Sequence, residues 1–260
     1  MNPFYFGNSN EPLFGVYHQP RCMATLSKAI LICPPLGREY LRTHWALRRL
    51  SDQLSRVGYH VLRFDYFATG DSAGSTGDVD VARCQQDIRA AATELLDISG
   101  ENQISVVGLR AGAAIAASTE KLKIQDLVLW DSVINGCDYL HELEQLHQIK
   151  LQAYNNLRKK PLAETPDEVL GFPMPQSMRE SIKDIDLLSG IQAQADNIYL
   201  FSSRELAVLS QLQHVIENSG SQFSAQIIND AGDWDNALST GDAFLPNIIL
   251  KAIVDKLGER

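Results

Sequence analysis

The sequence predicts an α/β protein with a mostly parallel sheet of about eight strands and a helical cap. Short β-branched and apolar runs alternate with segments of helical periodicity as far as Val133. A polar stretch without a strand pattern follows at 135–190, and the alternation then resumes. Such alternation is typical of a parallel sheet covered on both faces. We therefore expect one domain over 1–260, with a helical cap insertion at 135–190, because 260 residues of 45% hydrophobic content can bury one core.

The individual elements follow from their patterns. Two apolar stretches flank a polar turn and predict an antiparallel hairpin at a sheet edge, Phe4–Phe6 with Leu13–His18. Further strands are predicted at 29–33, 59–65, 104–109, 127–133, 198–202 and 223–228. Helices are predicted at 41–57, 81–96, 111–122, 139–159, 206–218 and 243–257.

Composition limits the classes of function. The formal net charge of -9 would repel phosphate backbones and anionic membrane surfaces, so we expect neither nucleic acid nor a membrane as a partner. The four cysteines have no metal-ligand spacing, and we expect reduced thiols, no metal and no cofactor. No apolar run approaches the roughly 20 residues of a membrane span, and the N-terminus lacks the order of a signal peptide. A soluble, cytoplasmic protein is the expectation.

The segment SVVGLRAGAA carries the main clue to function. A buried strand leads directly into G-x-R-x-G and an alanine-rich helix, with Arg110 between Gly108 and Gly112. This strand-turn-helix context resembles the nucleophile elbow of α/β-hydrolases. The resemblance is to the serine aminopeptidase-like branch and covers nearly the whole chain, because strand order, cap position and the motif FDYFATGDSAGS all agree. Alternatively, small residues at this spacing permit ordinary helix packing, and Arg110 is a surface residue of an unrelated doubly wound sheet.

Two further stretches resemble a narrower group. GLRAG and LVLWDSVINGCDYLHEL are similar to segments of bacterial hydrolase-like proteins with a GLR-x-G elbow, including the second hydrolase associated with exosortase systems. This resemblance implies that an arginine at the elbow is shared within that group.

The resemblance also indicates where the partners of a nucleophile belong. The acid follows the strand after the cap, where Glu205 stands, and the histidine follows the last strand, where only Asp230, Asp233 and Asp235 are found. The last histidine, His214, falls within a predicted helix. An arginine cannot act as the nucleophile, because its guanidinium stays protonated. An ordinary serine esterase is therefore excluded.

Arg110 then has two possible roles. The backbone N–H of Ala111 and one from the loop containing Leu36 and Gly37 can form an anion-binding hole, to which Arg110 adds charge for a carboxylate or phosphate ligand. Alternatively, Arg110 makes an internal ion pair with Asp233 or Glu205.

Other residues near the predicted strand ends are candidates as well. Glu39 and His44 could form a carboxylate-oriented base, or they are a helix-start charge and a surface histidine. Asp131 and Trp234 are expected to line the pocket, although Asp131 could instead cap a helix of the insertion.

Two hypotheses of function follow. In the first, an enzyme without a serine nucleophile acts on an acyl or carboxylate-bearing small molecule, and hydrolysis, lyase or cyclisation chemistry all fit. In the second, a non-catalytic pseudo-hydrolase binds a ligand or another protein. A reachable Arg110 in a water-accessible cavity favours the first hypothesis, whereas an arginine held between carboxylates favours the second.

Overall fold

The computed structural model describes residues 1–22, 28–75, 79–157, 165–229 and 246–259. The strands in these ranges are β1 (Asn2–Phe6), β2 (Leu13–His18), β3 (Lys28–Cys33), β4 (Tyr59–Phe64), β5 (Ile104–Leu109), β6 (Lys123–Trp130), β7 (Glu168–Val169), β8 (Phe172–Pro173), β9 (Gln194–Ser202) and β10 (Gln222–Ile227). The helices are α1 (Gly37–Arg56), α2 (Val81–Ser99), α3 (Ala111–Ala117), α4 (Gly136–Asn156), α5 (Gln176–Lys183), α6 (Leu209–Asn218) and α7 (Asn247–Gly258).

Eight strands form one sheet in the order β1-β2-β4-β3-β5-β6-β9-β10. The β1–β2 hairpin lies at one edge and joins β4 in antiparallel fashion, and the remaining pairs are parallel. The predicted eight-stranded, mostly parallel sheet is therefore confirmed. None of the helices in the described ranges is long and apolar enough to cross a bilayer.

Both faces of the sheet are covered. Along β5, Val106 packs into a cluster with α2 and α3, whereas Val107 packs into a second cluster with α1 and α7. Neighbouring side chains of a strand point to opposite faces, so each central strand serves both clusters. This explains why the central strands read as continuous apolar runs in the sequence.

Several predicted boundaries are wrong by three or more residues, and three of them have a local explanation. Helix α1 begins at Gly37, one turn before the predicted start at Leu41. Helix α3 ends at Ala117, and the hydroxyl of Thr119 donates to the carbonyl of Ile115 where the chain leaves the helix. Strand β6 ends at Trp130, because Asp131 has a φ of +43° and leaves the extended conformation.

The segment 135–190, called the cap segment below, contains α4, β7, β8 and α5. The two short strands β7 and β8 pair in antiparallel fashion and were not predicted. Helix α4 begins after Asn135, whose side chain accepts hydrogen bonds from the backbone N–H groups of Cys137 and Asp138. Its buried face, which includes Tyr139 and Leu143, joins the cluster beneath it.

Candidate functional site

The predicted elbow lies where β5 passes into α3. Leu109 ends the strand, Ala111 begins the helix, and Arg110 stands between them with φ +52° and ψ −122°. A non-glycine residue in this sparsely populated region costs on the order of 1–3 kcal/mol and persists only where the surroundings impose it. The elbow predicted at residues 108–112 is therefore present, with an arginine at its turn.

The two glycines of the motif are required by close backbone approach. A Cβ on Gly108 would overlap the Cα of Ala113, one turn into the following helix. A Cβ on Gly112 would overlap the carbonyl oxygens of Cys33 and Pro34. The second contact holds the loop that follows β3 directly against the elbow, and Leu36 and Gly37 continue that loop into α1.

Arg110 is buried, with 3% of its surface exposed, and it is paired with carboxylates. Its Nε donates a hydrogen bond of 2.9 Å to Oε1 of Glu39, in the first turn of α1. A terminal guanidinium nitrogen lies 3.3 Å from Oε2 of Glu142 on α4. The other oxygen of Glu39 accepts a hydrogen bond of 3.0 Å from the Tyr139 hydroxyl. This network, called the elbow network below, joins the core of the fold to the cap segment.

The charges of the elbow network stabilise one another. Burial alone would lower the pKa of Arg110, but Glu39, Tyr139 and Glu142 outweigh it and raise the pKa. Burial and the charge of Glu39 raise the pKa of Tyr139 well above its usual range. Arg110 is therefore a permanent cation, and Tyr139 is a neutral hydrogen-bond donor.

Glu142 is shared with a second arginine. A terminal nitrogen of Arg204, which follows β9, lies 3.6 Å from Oε1 of Glu142. The Arg204 side chain is half exposed, and that of Glu142 is 25% exposed. The elbow network therefore extends from a buried pair, Arg110 with Glu39, to the protein surface.

Of the two predicted carboxylate partners of Arg110, only Glu205 lies among the described residues. Glu205 is exposed and makes no ion pair with Arg110 among the described residues, so the predicted Arg110–Glu205 pair is wrong. Among the described residues, the carboxylates that meet Arg110 come from α1 and α4. The tight approach of Gly112 to the preceding loop brings the start of α1 to the elbow. Asp233 and Trp234 lie outside the described residues, as do Asp230 and Asp235.

The predicted pairing of Glu39 with His44 is wrong. The two residues are five positions apart on α1, which places them about 140° apart around the helix axis. Glu39 turns inward to Arg110, whereas His44 is exposed and lies edge-on to the ring of Trp45, with ring centroids 6.2 Å apart. His44 is therefore the surface histidine of the alternative interpretation. His214 is likewise exposed, on α6.

Asp131 has a structural partner of its own. Its carboxylate accepts hydrogen bonds from the backbone N–H of Ser203 at 2.6 Å and from the Ser203 hydroxyl at 2.9 Å. These bonds join the chain after β6 to the chain after β9. Asp131 does not cap the insertion helix, because Asn135 caps α4.

Tyr139 and Glu142 were not predicted as site residues. They stand one turn apart near the start of α4, so they project from one face of the helix. A polar pair at this spacing, in the first helix after the strand that neighbours the elbow, was the available signal.

No family model and no curated protein matches the sequence. Several solved structures are similar to this chain. One is Est1E from Butyrivibrio proteoclasticus with bound ferulic acid, at 13% identity and a TM-score of 0.62, covering 98% of this chain and 96% of that chain. An esterase from Pyrococcus furiosus is similar at 17% identity and a TM-score of 0.61, covering 99% of this chain and 88% of that chain. Mouse alpha/beta hydrolase domain-containing protein 10 is similar at 16% identity and a TM-score of 0.58, covering 99% and 97% of the two chains.

The chain therefore has the α/β-hydrolase fold, as the sequence predicted. Identities at this level show the fold alone. The resemblances to the serine aminopeptidase-like branch and to the exosortase-associated group stay predictions.

Proposed function

We propose that this chain is a non-catalytic pseudo-hydrolase that acts as a binding module. The observation that carries the proposal is the buried ion pair at the elbow: where the fold family places a nucleophile, Arg110 is held by Glu39 and Glu142. Where a catalytic site would need a nucleophile and a base, the elbow network provides an ion-paired contact between the core and the cap segment.

The chemistry of the paired groups supports a structural role. Acyl transfer needs a nucleophile that an adjacent base can deprotonate, and a guanidinium with a raised pKa cannot meet that need. Glu39 is the nearest carboxylate, but its two oxygens already accept hydrogen bonds from Arg110 and Tyr139. Arg110 therefore cannot act as a base, and both oxygens of Glu39 are engaged in holding Arg110 and Tyr139.

The test of this proposal is a search for acyl-transfer activity. We expect hydrolysis of p-nitrophenyl acetate at the buffer rate, and no labelling of the elbow by a fluorophosphonate probe. Hydrolysis above the buffer rate that disappears in an Arg110→Ala variant, confirmed as folded by circular dichroism, would show that the elbow is catalytic and would overturn the proposal.

A second candidate function is binding of a small acyl or carboxylate-bearing molecule at Arg110. The favouring observation is that Glu142 belongs to the cap segment, is partly exposed and is shared with Arg204. A ligand carboxylate could take the place of Glu142 on the terminal nitrogens of Arg110, since a guanidinium suits planar carboxylates.

Thermal-shift measurements with acetate, an acyl thioester and phosphate test this candidate. If it holds, these compounds stabilise a Glu142→Gln variant more than the wild type, because the variant gives up the competing charge. Glu144→Gln is the matched control, since Glu144 pairs with Arg179 and not with Arg110. Equal shifts in all three proteins would exclude the candidate.

A further inference from the structure

The outer face of α1 carries an unusual set of side chains. At 3.6 residues per turn, all arginines of this helix fall within an arc of about 120°, together with Leu41, Trp45 and Asp52. These arginines are Arg38, Arg42, Arg48, Arg49 and Arg56. We call this set the α1 stripe. It extends for about 27 Å along the helix at 1.5 Å per residue.

The α1 stripe is positive on a protein that is otherwise acidic. The chain has a net charge of -9, yet α1 contains only two acidic residues, Glu39 and Asp52. Glu39 is turned inward to Arg110, and Asp52 accepts a hydrogen bond of 3.0 Å from Arg21. Within the described part of the chain, no ion pair involves Arg48, Arg49 or Arg56.

The α1 stripe also exposes apolar surface. Leu41 is 60% exposed and Trp45 is 53% exposed, one helical turn apart. The guanidinium of Arg48 lies 5.3 Å from the centroid of the Trp45 ring. Tryptophan and arginine dominate the energetics of protein–protein interfaces, and charged residues around an apolar centre set the orientation of the partner.

We propose that the α1 stripe binds an acidic, amphipathic helical segment of a partner protein. Aspartate and glutamate side chains of that segment face Arg48, Arg49 and Arg56, and two apolar side chains one turn apart contact Leu41 and Trp45. A partner helix of about 18 residues would match the length of the stripe. This inference goes beyond the proposed function and does not depend on the elbow being inactive.

Charge and shape favour a short protein segment over other anions. DNA or an anionic membrane would also come near the acidic remainder of the surface and be repelled by it, whereas a single helix contacts the stripe alone. A membrane-binding helix inserts a broad apolar face, and the stripe has two large apolar side chains set among arginines.

The experiment is fluorescence anisotropy with a labelled peptide of about 18 residues, designed as a glutamate-rich helix with two leucines one turn apart. We expect the Arg48→Gln/Arg49→Gln double variant to weaken binding about tenfold or more. The matched control is Arg89→Gln/Lys123→Gln, which removes the same charge from α2 and from the start of β6. The control should stay within about twofold of the wild type. Binding should also weaken as salt rises.

Trp45→Ala and Trp45→Phe test the apolar part of the α1 stripe. We expect Trp45→Ala to weaken binding about fivefold or more and Trp45→Phe to weaken it less. Thermal unfolding of each variant shows whether it is folded. If Trp45→Ala is unfolded, Trp45→Phe alone tests the apolar part of the α1 stripe. The proposal is overturned if no binding occurs up to about 1 mM peptide, or if the control loses as much affinity as the Arg48/Arg49 variant. Tighter binding to phosphatidylserine vesicles or to a DNA duplex than to the peptide would also overturn it.

Discussion

The two faces of helix α1 place their charges in different environments. On the inner face, the one carboxylate of the first turn, Glu39, meets Arg110 and Tyr139 within hydrogen-bond distance. On the outer face, arginines follow one another along the helix, and the guanidinium of Arg48 lies over the ring of Trp45. A buried charge must be paired, whereas an exposed one keeps its water.

This difference separates the charge of the helix that is paired in the core from the charges that lie towards the surface. Removing one member of the inner pair leaves an uncompensated charge in the core. Removing an exposed arginine of the outer face, such as Arg49, changes the surface potential and little else. Stability measurements should therefore separate the two faces.

The largest effect is expected for Arg110→Ala. The substitution leaves Glu39 buried with no cation, so the free energy of unfolding should fall by about 3–5 kcal/mol. Urea denaturation with an unchanged m-value is the measurement. Arg110→Lys should recover part of the loss, because lysine keeps the charge but lacks the planar fork. Equal stability of all three proteins would mean that the inner face is not held by this pair.

A pH-dependent loss of stability is expected where His18 meets the outer face of α1. His18 is buried against the outer-face residue Asp52, and burial, followed by the charge of Arg63, lowers the pKa of His18 to about 4. The unfolded value is about 6.5, so the unfolded chain binds the proton first as pH falls. Stability present above pH 6.5 should decline towards pH 4 by up to about 3 kcal/mol.

The matched variant for that prediction is His18→Phe, which keeps an aromatic ring and removes the titration. Its stability should change less than that of the wild type between about pH 6.5 and pH 4. Parallel curves for the two proteins would show that His18 does not contribute to the acid sensitivity.

A smaller effect is expected for Glu142→Gln. Glu142 is partly exposed and bridges Arg110 to Arg204, so solvent screens the interaction and the loss should be about 1 kcal/mol. The inner pair of Arg110 with Glu39 remains in this variant. A double-mutant cycle with Arg204→Gln should give a coupling energy below about 1 kcal/mol. A loss as large as that of Arg110→Ala would place Glu142 within the inner pair.

The fold could be predicted because its signals are local. Strand and helix patterns alternate along the sequence and can be recognised in short windows. Gly108 and Gly112 mark the elbow, because close backbone approach excludes a side chain at both positions. The boundary of β6 could not be read in this way. The chain turns at Asp131, whose carboxylate accepts hydrogen bonds from Ser203. Ser203 follows a different strand, β9.

The site was harder to predict for the same reason. Arg110 and Glu39 were both identified as candidates, but 71 residues separate them in the sequence, and 32 separate Arg110 from Glu142. Which carboxylate meets the arginine depends on how the starts of α1 and α4 converge on the elbow. No periodicity within either helix specifies that convergence.

The smallest effect is expected for Arg49→Gln on the outer face of α1. Its side chain is exposed and makes no ion pair among the described residues, so glutamine keeps the helix propensity and loses only surface charge. The free energy of unfolding should stay within about 0.5 kcal/mol of the wild type. Removing one positive charge from a crowded row of arginines also relieves repulsion, which favours a slight gain over a loss. Urea denaturation at low and high salt measures this, because added salt should shrink any difference. A loss above about 1 kcal/mol would mean that Arg49 stabilises the fold and that the two faces of α1 are less different than the contacts indicate.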